Sequence, residues 1–457
     1  MMVEIYDAFI SCNQQVTTDS RNIIKNDIFF ALKGPHFNGN SYAKKALDLG
    51  AKFAVIDEKK YYIEGKTFLV KDVLSTLQDL ALFHKKKFNT PTIGITGTNG
   101  KTTTKELIGS VLKSKYNILI TKGNLNNHIG VPLTILKLKK EHDIAIIEMG
   151  ASKIGDIKEL SEIALPNYAL ITNIGKAHLE GFGNIKNIQK TKLELYNYVI
   201  ENKGQIIVNS DDDFLLKSIP NHIKTITYGH SNSDFNGKIT KENPYLEMSI
   251  QYFKSEKIIT TNLLGSYNLN NILAAVCFGR VFNVEVDNIF QSISKYEPSN
   301  NRSQLIKSKY NQIIADCYNA NPTSTLAALK SFINTNFEKK LVILGDMLEL
   351  GDQEEKEHQK IVHYLKKNNL TAILVGKCYQ KSKNDFITLI KSFRRCKQNE
   401  FAPPSINIIT ANNDANFLEK TLKSMNVQAK EAEFVFKALN NTMNKQEIIG
   451  NKVKVIY

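Results

Sequence analysis

Gly94-Ile95-Thr96-Gly97-Thr98-Asn99-Gly100-Lys101-Thr102-Thr103-Thr104 is the stretch that organises the rest of the chain. Thr92-Ile93-Gly94-Ile95-Thr96 reads as a short buried strand, and Leu107, Ile108, Val111 and Leu112 recur at helical spacing beyond the loop. A glycine-containing turn between a strand and a helix is what a phosphate cradle requires. Glycines admit a close backbone approach, and the unpaired N–H groups that open the helix point at the anion. Lys101 supplies a point charge for the β- and γ-phosphates, and the Thr102 hydroxyl is a Mg²⁺ ligand in this pattern.

At 457 residues the chain has room for two to four domains. A net charge of +15 raises the question of nucleic acid, but the basic residues are dispersed and no aromatic-and-basic module accompanies them. The run Lys85-Lys86-Lys87 reads as a solvated helix end. Cys12, Cys277, Cys317, Cys378 and Cys396 form no C-x-x-C pair, so neither a disulfide framework nor a zinc site is expected. The N-terminal MMVEIYDAF carries two acids and lacks the basic start and apolar core of a signal peptide. No apolar run approaches the roughly 20 residues that span a bilayer. A cytoplasmic protein without membrane insertion or nucleic-acid partner, acting as a monomer, is the expectation.

The pattern divides into three units, 1–88, 89–300 and 301–457. In the first, Ile28-Phe29-Phe30-Ala31-Leu32 and Lys52-Phe53-Ala54-Val55-Ile56 read as strands with a short helix between them, and Val73, Leu77, Leu80 and Ala81 mark an amphipathic helix. Thr18-Asp19-Ser20-Arg21 is a polar cluster whose hydroxyl and guanidinium suit a diphosphate or a base, although read alone it is first a turn or helix cap.

In the second unit apolar runs end repeatedly in a polar residue. Ile144-Ala145-Ile146-Ile147 ends in Glu148, Ala169-Leu170-Ile171-Thr172 in Asn173, and Ile206-Ile207-Val208 in Asn209. Strands apolar throughout suit a parallel sheet covered on both faces. Ligands of such sheets bind beyond the carboxyl ends of the strands, which puts Glu148 on the edge that carries the phosphate loop. There it is placed to share a Mg²⁺ with Thr102, or to cap the following helix. His178, on the loop after the next strand, has no role from its own context. Leu246, Met248, Ile250 and Tyr252 alternate as one arm of a hairpin with its turn at 254–257. Residues 265–276 read as a loop entering a helix, with Asn268 and Asn271 near its start, and 296–303 as a linker. In the third unit Ile313-Ile314-Ala315 leads to Asp316, Val342-Ile343-Leu344 to Gly345-Asp346, and Ile373-Leu374-Val375 to Gly376. The fold expected is α/β in three domains: a central P-loop domain with a parallel sheet, a small N-terminal α/β domain, and a C-terminal Rossmann-like domain that closes over the nucleotide.

Taken together these motifs resemble the Mur ligase family, ATP-dependent amide-forming enzymes of peptidoglycan precursor synthesis, on which cell-wall biogenesis, cell shape and division depend. The resemblance covers nearly the whole chain. It rests on the loop Gly97-Thr98-Asn99-Gly100-Lys101-Thr102-Thr103, on Gly123-Asn124-Leu125-Asn126-Asn127 before Ile129-Gly130-Val131-Pro132-Leu133, and on Glu148-Met149-Gly150-Ala151. Ala177-His178-Leu179-Glu180, Asp316-Cys317-Tyr318-Asn319-Ala320-Asn321-Pro322 and Gly345-Asp346-Met347-Leu348-Glu349-Leu350-Gly351 complete it. Together, the motifs beyond the phosphate loop point to the branch whose substrates are UDP-N-acetylmuramoyl-tripeptide and D-alanyl-D-alanine.

The resemblance implies roles residue by residue. Glu148 and His178 match metal ligands, and Lys192 matches a carbamylated lysine that approaches a second Mg²⁺. An exposed helical lysine paired with an acid is the alternative for Lys192. Lys101, Lys192, His178 and Glu148 form the implied catalytic set. Gly97 through Thr103, Asn271, Arg302 and Asp316 match positions that hold ATP. Ser20, Arg21, Asn126 and Asn127 match the uridine-nucleotide region, and Tyr318, Asn319 and Asn321 the wall that receives the dipeptide. Tyr267 stands where many relatives carry His, and Phe436-Lys437-Ala438-Leu439-Asn440-Asn441 stands where they carry Lys-Gly-Ser-Arg. Alternatives are another amino-acid ligase of the family, a P-loop kinase or switch, and a diverged non-catalytic nucleotide-binding homologue.

Overall fold

Runs of β-branched and aliphatic residues without alternation are stable only as strands covered on both faces, and three sheets meet that demand. The computed structural model describes residues 1–252, 255–298, 302–307, 312–316, 318–337, 340–381 and 405–409. Cys317, Cys396 and the 436–441 stretch lie outside the described residues.

The first sheet is parallel, in the order Val16–Thr17, Ile28–Phe30, Phe53–Ile56, Thr67–Leu69. The strand period of two sends Ile28 and Phe30 into a core with helices Met2–Ser11 and Val73–Lys85. Phe29 and Ala31 go into a second core with helix Ala43–Asp48. The first of these cores continues into the central domain through Val131, Ile135 and Ile147. Helix Val73–Lys85 is therefore a wall shared by two domains. Its last residue departs from the sequence expectation of a solvated end: Lys85 is 4% exposed and its Nζ donates to the Thr90 carbonyl at 2.9 Å. Only Lys86 and Lys87 face solvent.

Burial lowers the Lys85 amine from 10.5 to about 8. The unfolded chain therefore binds more protons between these values, and the contribution of this group to stability rises with pH across pH 8 to 10.5. Lys85→Met is expected to raise the denaturant midpoint at pH 7 and to flatten that rise. An unchanged slope in urea titrations at pH 7 and 10 would contradict it.

The central sheet has nine strands in the order Ser255–Leu264, Tyr245–Tyr252, Phe235–Glu242, Thr225–Gly229, Gln205–Asn209, Tyr168–Ile171, Thr92–Thr96, Ile144–Glu148, Ile118–Ile120. Pairing is parallel from Phe235–Glu242 to Ile118–Ile120, and the first three strands form an antiparallel meander. The second arm begins at Ser255, within the stretch expected to turn, and Lys257 pairs with Ile250. Strand Thr92–Thr96 lies between Tyr168–Ile171 and Ile144–Glu148. The chain leaves it in one direction and returns on its other side, which opens a crevice at its carboxyl end.

The third sheet runs Gln304–Lys307, Gln312–Ala315, Ser405–Ile409, Lys340–Gly345, Thr371–Val375, parallel except at its first strand. Helices Pro322–Asn334 and Glu354–Lys367 contribute Leu329, Phe332, Ile361 and Leu365 to its core. Cys12, Cys277 and Cys378 are free and buried. Among the described residues no helix is long and apolar enough to cross a membrane.

Candidate active site

Helix Lys101–Lys113 opens directly from Gly100, whose φ of +78° is left-handed and which supplies no side-chain cap. The N–H groups of its first turn, including that of the half-buried Thr103, are thus left for an anion. Gly97, at φ +146°, lies so close to Thr172 that any Cβ there would collide with it. The loop is held by the end of the neighbouring strand. Thr98 N–H donates to the Asn173 carbonyl at 2.9 Å and Asn99 N–H to Asn173 Oδ1 at 3.0 Å, while Thr172 Oγ1 and Asn173 Nδ2 both donate to the Asn99 carbonyl. The Lys101 ammonium folds back onto the Gly97 and Thr98 carbonyls at 2.8 and 3.0 Å. Burial lowers its pKa to about 8, Glu148 opposing and Arg302 adding to the shift.

Glu148 ends its strand as expected, 1% exposed. Its Oε1 accepts from Thr102 Oγ1 at 3.2 Å and from Asn126 Nδ2 at 2.8 Å. Its Oε2 is buried with no hydrogen bond and faces the Lys105 ammonium at 3.4 Å, an ion contact too long to satisfy it well. Two oxygen donors on neighbouring strand and helix ends, one of them unsatisfied, suit a hard cation such as Mg²⁺. Lys105 was not singled out in the sequence, although it stands three and seven residues before Ile108 and Leu112 and so shares their buried face.

Lys192, on helix Ile185–Glu201, is 3% exposed, and its Nζ donates to Thr96 Oγ1 at 3.3 Å. Burial first, then the nearby Lys101 charge, holds this amine well below its usual range. The reading of Lys192 as an exposed lysine paired with an acid fails here, because Glu194 spends its carboxylate on the Gly155 and Lys158 N–H groups. His178 lies on the loop beyond the same strand edge, and its Nδ1 pairs with Glu349 of the C-terminal domain.

The residues expected to hold the nucleotide gather around the loop. Asn271 Oδ1 accepts from Thr104 Oγ1 at 2.9 Å and would meet a Cβ at Gly100, and its Nδ2 donates to Asn268. Arg302 stacks on Tyr318 at 3.8 Å, and its buried Nε has no hydrogen bond, a donor suited to an anion. Burial raises the Asp316 carboxyl, against the pull of Arg302 and of hydrogen bonds from Ser303. Tyr267 hydrogen-bonds Ser303 Oγ at 2.6 Å, joining this group to the start of helix Asn268–Val281.

The residues assigned to the other substrates are dispersed. Arg21 is exposed and chelated by Asp19, its Nε and Nη2 donating at 2.8 and 2.9 Å, and Ser20 is half-buried in the same turn. Asn127 is exposed and accepts from the N–H groups of Ile129 and Gly130 at the start of helix Gly130–Ile135. Tyr318 and Asn319 are exposed. Asn321 is buried: its Oδ1 caps helix Pro322–Asn334 and its Nδ2 donates to Asn99 Oδ1 at 2.7 Å. The phosphate loop and the C-terminal domain thus touch through a pair of amides. Asn321→Ser keeps a helix cap but cannot reach Asn99. Loss of one hydrogen bond worth about 0.5–1.5 kcal/mol is expected to weaken nucleotide binding roughly two- to tenfold at unchanged thermal stability. Calorimetric titration with nucleotide tests this, and unaltered affinity would remove the amide pair from nucleotide capture.

Comparison with known proteins covers all three units. The model described as Mur ligase middle domain matches residues 95–279, that of the Mur ligase, glutamate ligase domain 301–415, and that of the Mur ligase family, catalytic domain 14–83. The UDP-N-acetylmuramoyl-tripeptide–D-alanyl-D-alanine ligase of Bacillus subtilis (strain 168) is 36% identical over 349 residues, spanning 76% of each chain. A crystal structure of MurF from Acinetobacter baumannii superposes with a TM-score of 0.78 at 28% identity, covering 90% of this chain and 93% of that one. MurF ligase from Thermotoga maritima in complex with ADP gives 0.76 at 26% identity, covering 94% and 98%.

Proposed function

The chain belongs to the Mur ligase family, and on that premise we propose how its own residues carry out the family's chemistry. It is an ATP-dependent amide ligase that adds D-alanyl-D-alanine to UDP-N-acetylmuramoyl-tripeptide in peptidoglycan synthesis. The observation that supports the residue-level reading is the hydrogen bond of Thr102 to Glu148 at the carboxyl end of one strand, with the buried Lys192 on Thr96 at the carboxyl end of the strand beside it.

The reaction has two steps. The terminal carboxylate of the tripeptide attacks the γ-phosphorus of ATP, giving an acyl phosphate and ADP. The dipeptide amine then attacks the acyl carbon, phosphate leaves and the amine proton is lost. Phosphoryl transfer of this kind needs alignment and charge neutralisation more than covalent help. The first-turn N–H groups and Lys101 grip the phosphates, Arg302 directs its free Nε to the same anion, and Asn271 and Asp316 hold the nucleoside. Thr102 and Glu148 would hold Mg²⁺, which would supply charge neutralisation where two anions must approach. His178 and Lys192 would hold a second cation. The neutral amine is the form of lysine that takes up CO₂, and burial shifts Lys192 toward that form. Carbamylation would therefore turn a poor cation neighbour into an anionic oxygen donor.

Ser20, Arg21, Asn126 and Asn127 receive the UDP substrate, and Tyr318, Asn319 and Asn321 border the dipeptide. Both substrates of the first step are cytoplasmic nucleotides, which assigns the enzyme to the cytoplasm, where it acts as a monomer. Phosphate release that requires ATP, Mg²⁺, the UDP-tripeptide and D-alanyl-D-alanine together is the expected assay result. Release that ignores the dipeptide would point to a phosphotransferase or an ATPase instead.

A further inference from the structure

Phosphate binding leaves the segment Gly345-Asp346-Met347-Leu348-Glu349-Leu350-Gly351 without a task, yet it grips the loop that carries His178. Glu349 Oε2 pairs with His178 Nδ1, and the Glu349 carbonyl accepts from Glu180 N–H at 3.0 Å. One residue of the C-terminal domain thereby holds a central-domain loop by side chain and by backbone. His178 has φ +52° and Glu349 φ +60°. Left-handed backbone at a non-glycine residue costs about 1–3 kcal/mol and persists only where the surroundings over-determine it. Both members of the pair meet that description.

The surroundings are visible. Leu179 and Phe182 share one buried cluster with Met347 and Leu350. Two residues before His178, Lys176 donates its N–H to Thr323 Oγ1 at 3.3 Å and its ammonium to Glu357 at 2.9 Å. The loop is fixed on both sides of the imidazole by the C-terminal domain, and the carboxylate meets the ring between these anchors.

We propose that Glu349 is a positioning residue: by accepting the Nδ1–H of His178 it fixes the imidazole tautomer, so that Nε2 presents a lone pair only when the C-terminal domain is docked. An imidazole that donates from one nitrogen to a carboxylate is oriented and made more basic at the other. Without the carboxylate, either nitrogen can carry the proton and the ring can turn. Docking of the third domain and competence of His178 are then one event, because the acceptor is delivered across the domain boundary. The proposal rests on the reading of His178 as a cation-site residue.

The test uses the full chain saturated with a non-hydrolysable ATP analogue, and Mn²⁺ binding followed by electron paramagnetic resonance, which needs no turnover. His178→Ala and Glu349→Ala are each expected to weaken Mn²⁺ at one class of site by about tenfold, the lower end of what loss of such a partner costs. The double variant should be no weaker than His178→Ala alone. Glu349→Asp, which keeps the charge but withdraws it by one methylene, should behave like Glu349→Ala and covers the case in which the alanine variant fails to fold. Glu349→Gln retains an acceptor and should recover most of the affinity. Unchanged Mn²⁺ binding in His178→Ala would overturn the reading of His178 and the proposal with it. A loss in His178→Ala that the Glu349 variants do not share, or that adds to theirs in the double variant, would overturn the proposal alone.

Discussion

Lys192→Ala is expected to lower ligase turnover by about 10²–10³-fold, the range seen when one preorganised group that answers developing charge is removed. Acetate or formate should restore part of the loss, since a short carboxylate fits the space of the missing side chain and supplies the oxygen that a carbamate would carry. The structural ground is the isolation of this amine. It is buried, its near hydrogen-bond partner is the Thr96 hydroxyl, and the closest acid on its own helix, Glu194, is engaged by two backbone N–H groups. Removing the side chain therefore leaves no orphaned carboxylate.

The same isolation gives a stability signature. The folded pKa of Lys192 lies below its unfolded value, so between the two the unfolded chain binds more protons and the contribution of this group to stability rises with pH. Below that window the amine opposes folding. Lys192→Met in CO₂-depleted buffer at pH 7 should keep or raise the melting temperature while turnover is lost. Wild-type turnover in Lys192→Ala, or carboxylates without effect on an inactive variant, would remove the carbamate from the mechanism.

Legibility in the sequence followed the length of each apolar run. Strand Thr92–Thr96 and helix Lys101–Lys113 were readable because five consecutive buried positions and then a helical period bracket the loop. Strand Ser405–Ile409 passed unremarked although it lies inside the third sheet, between Gln312–Ala315 and Lys340–Gly345, where only long-range pairing defines it. Phe235–Glu242 was equally silent, since its residues are mostly exposed or half-buried and show no clean alternation. Among site residues, Thr102 is legible from the phosphate-loop pattern and Glu148 from strand-end logic, and the two hydrogen-bond each other. Lys105 and Glu349 each take their meaning from a partner distant in the chain, Glu148 and His178, which no local pattern reveals. Lys85 misled for a related reason: a lysine run looks solvated until a carbonyl such as that of Thr90 turns back to receive one member of it.

Glu148→Ala is expected to damage two properties at once, and a second substitution should separate them. The carboxylate is shared by Thr102, Asn126 and the Lys105 ammonium, all within 3.4 Å. Its loss removes an oxygen donor from the cation site, so the Mg²⁺ concentration for half-maximal turnover should rise by about 10- to 100-fold, the scale of a lost metal-site partner. It also strands Lys105, whose side chain is 2% exposed, with no anion beside it. Breaking a buried pair on one side costs about 3–5 kcal/mol, whereas replacing both members by apolar groups is often neutral or stabilising. The double variant Lys105→Met, Glu148→Leu should therefore recover the denaturant midpoint lost in Glu148→Ala and remain inactive. Recovery of turnover together with stability would mean that Glu148 serves the fold alone. A wild-type Mg²⁺ profile in Glu148→Ala would exclude the carboxylate from the cation site, and the meeting of Thr102 with the strand-end acid would then be a helix-packing contact and nothing more.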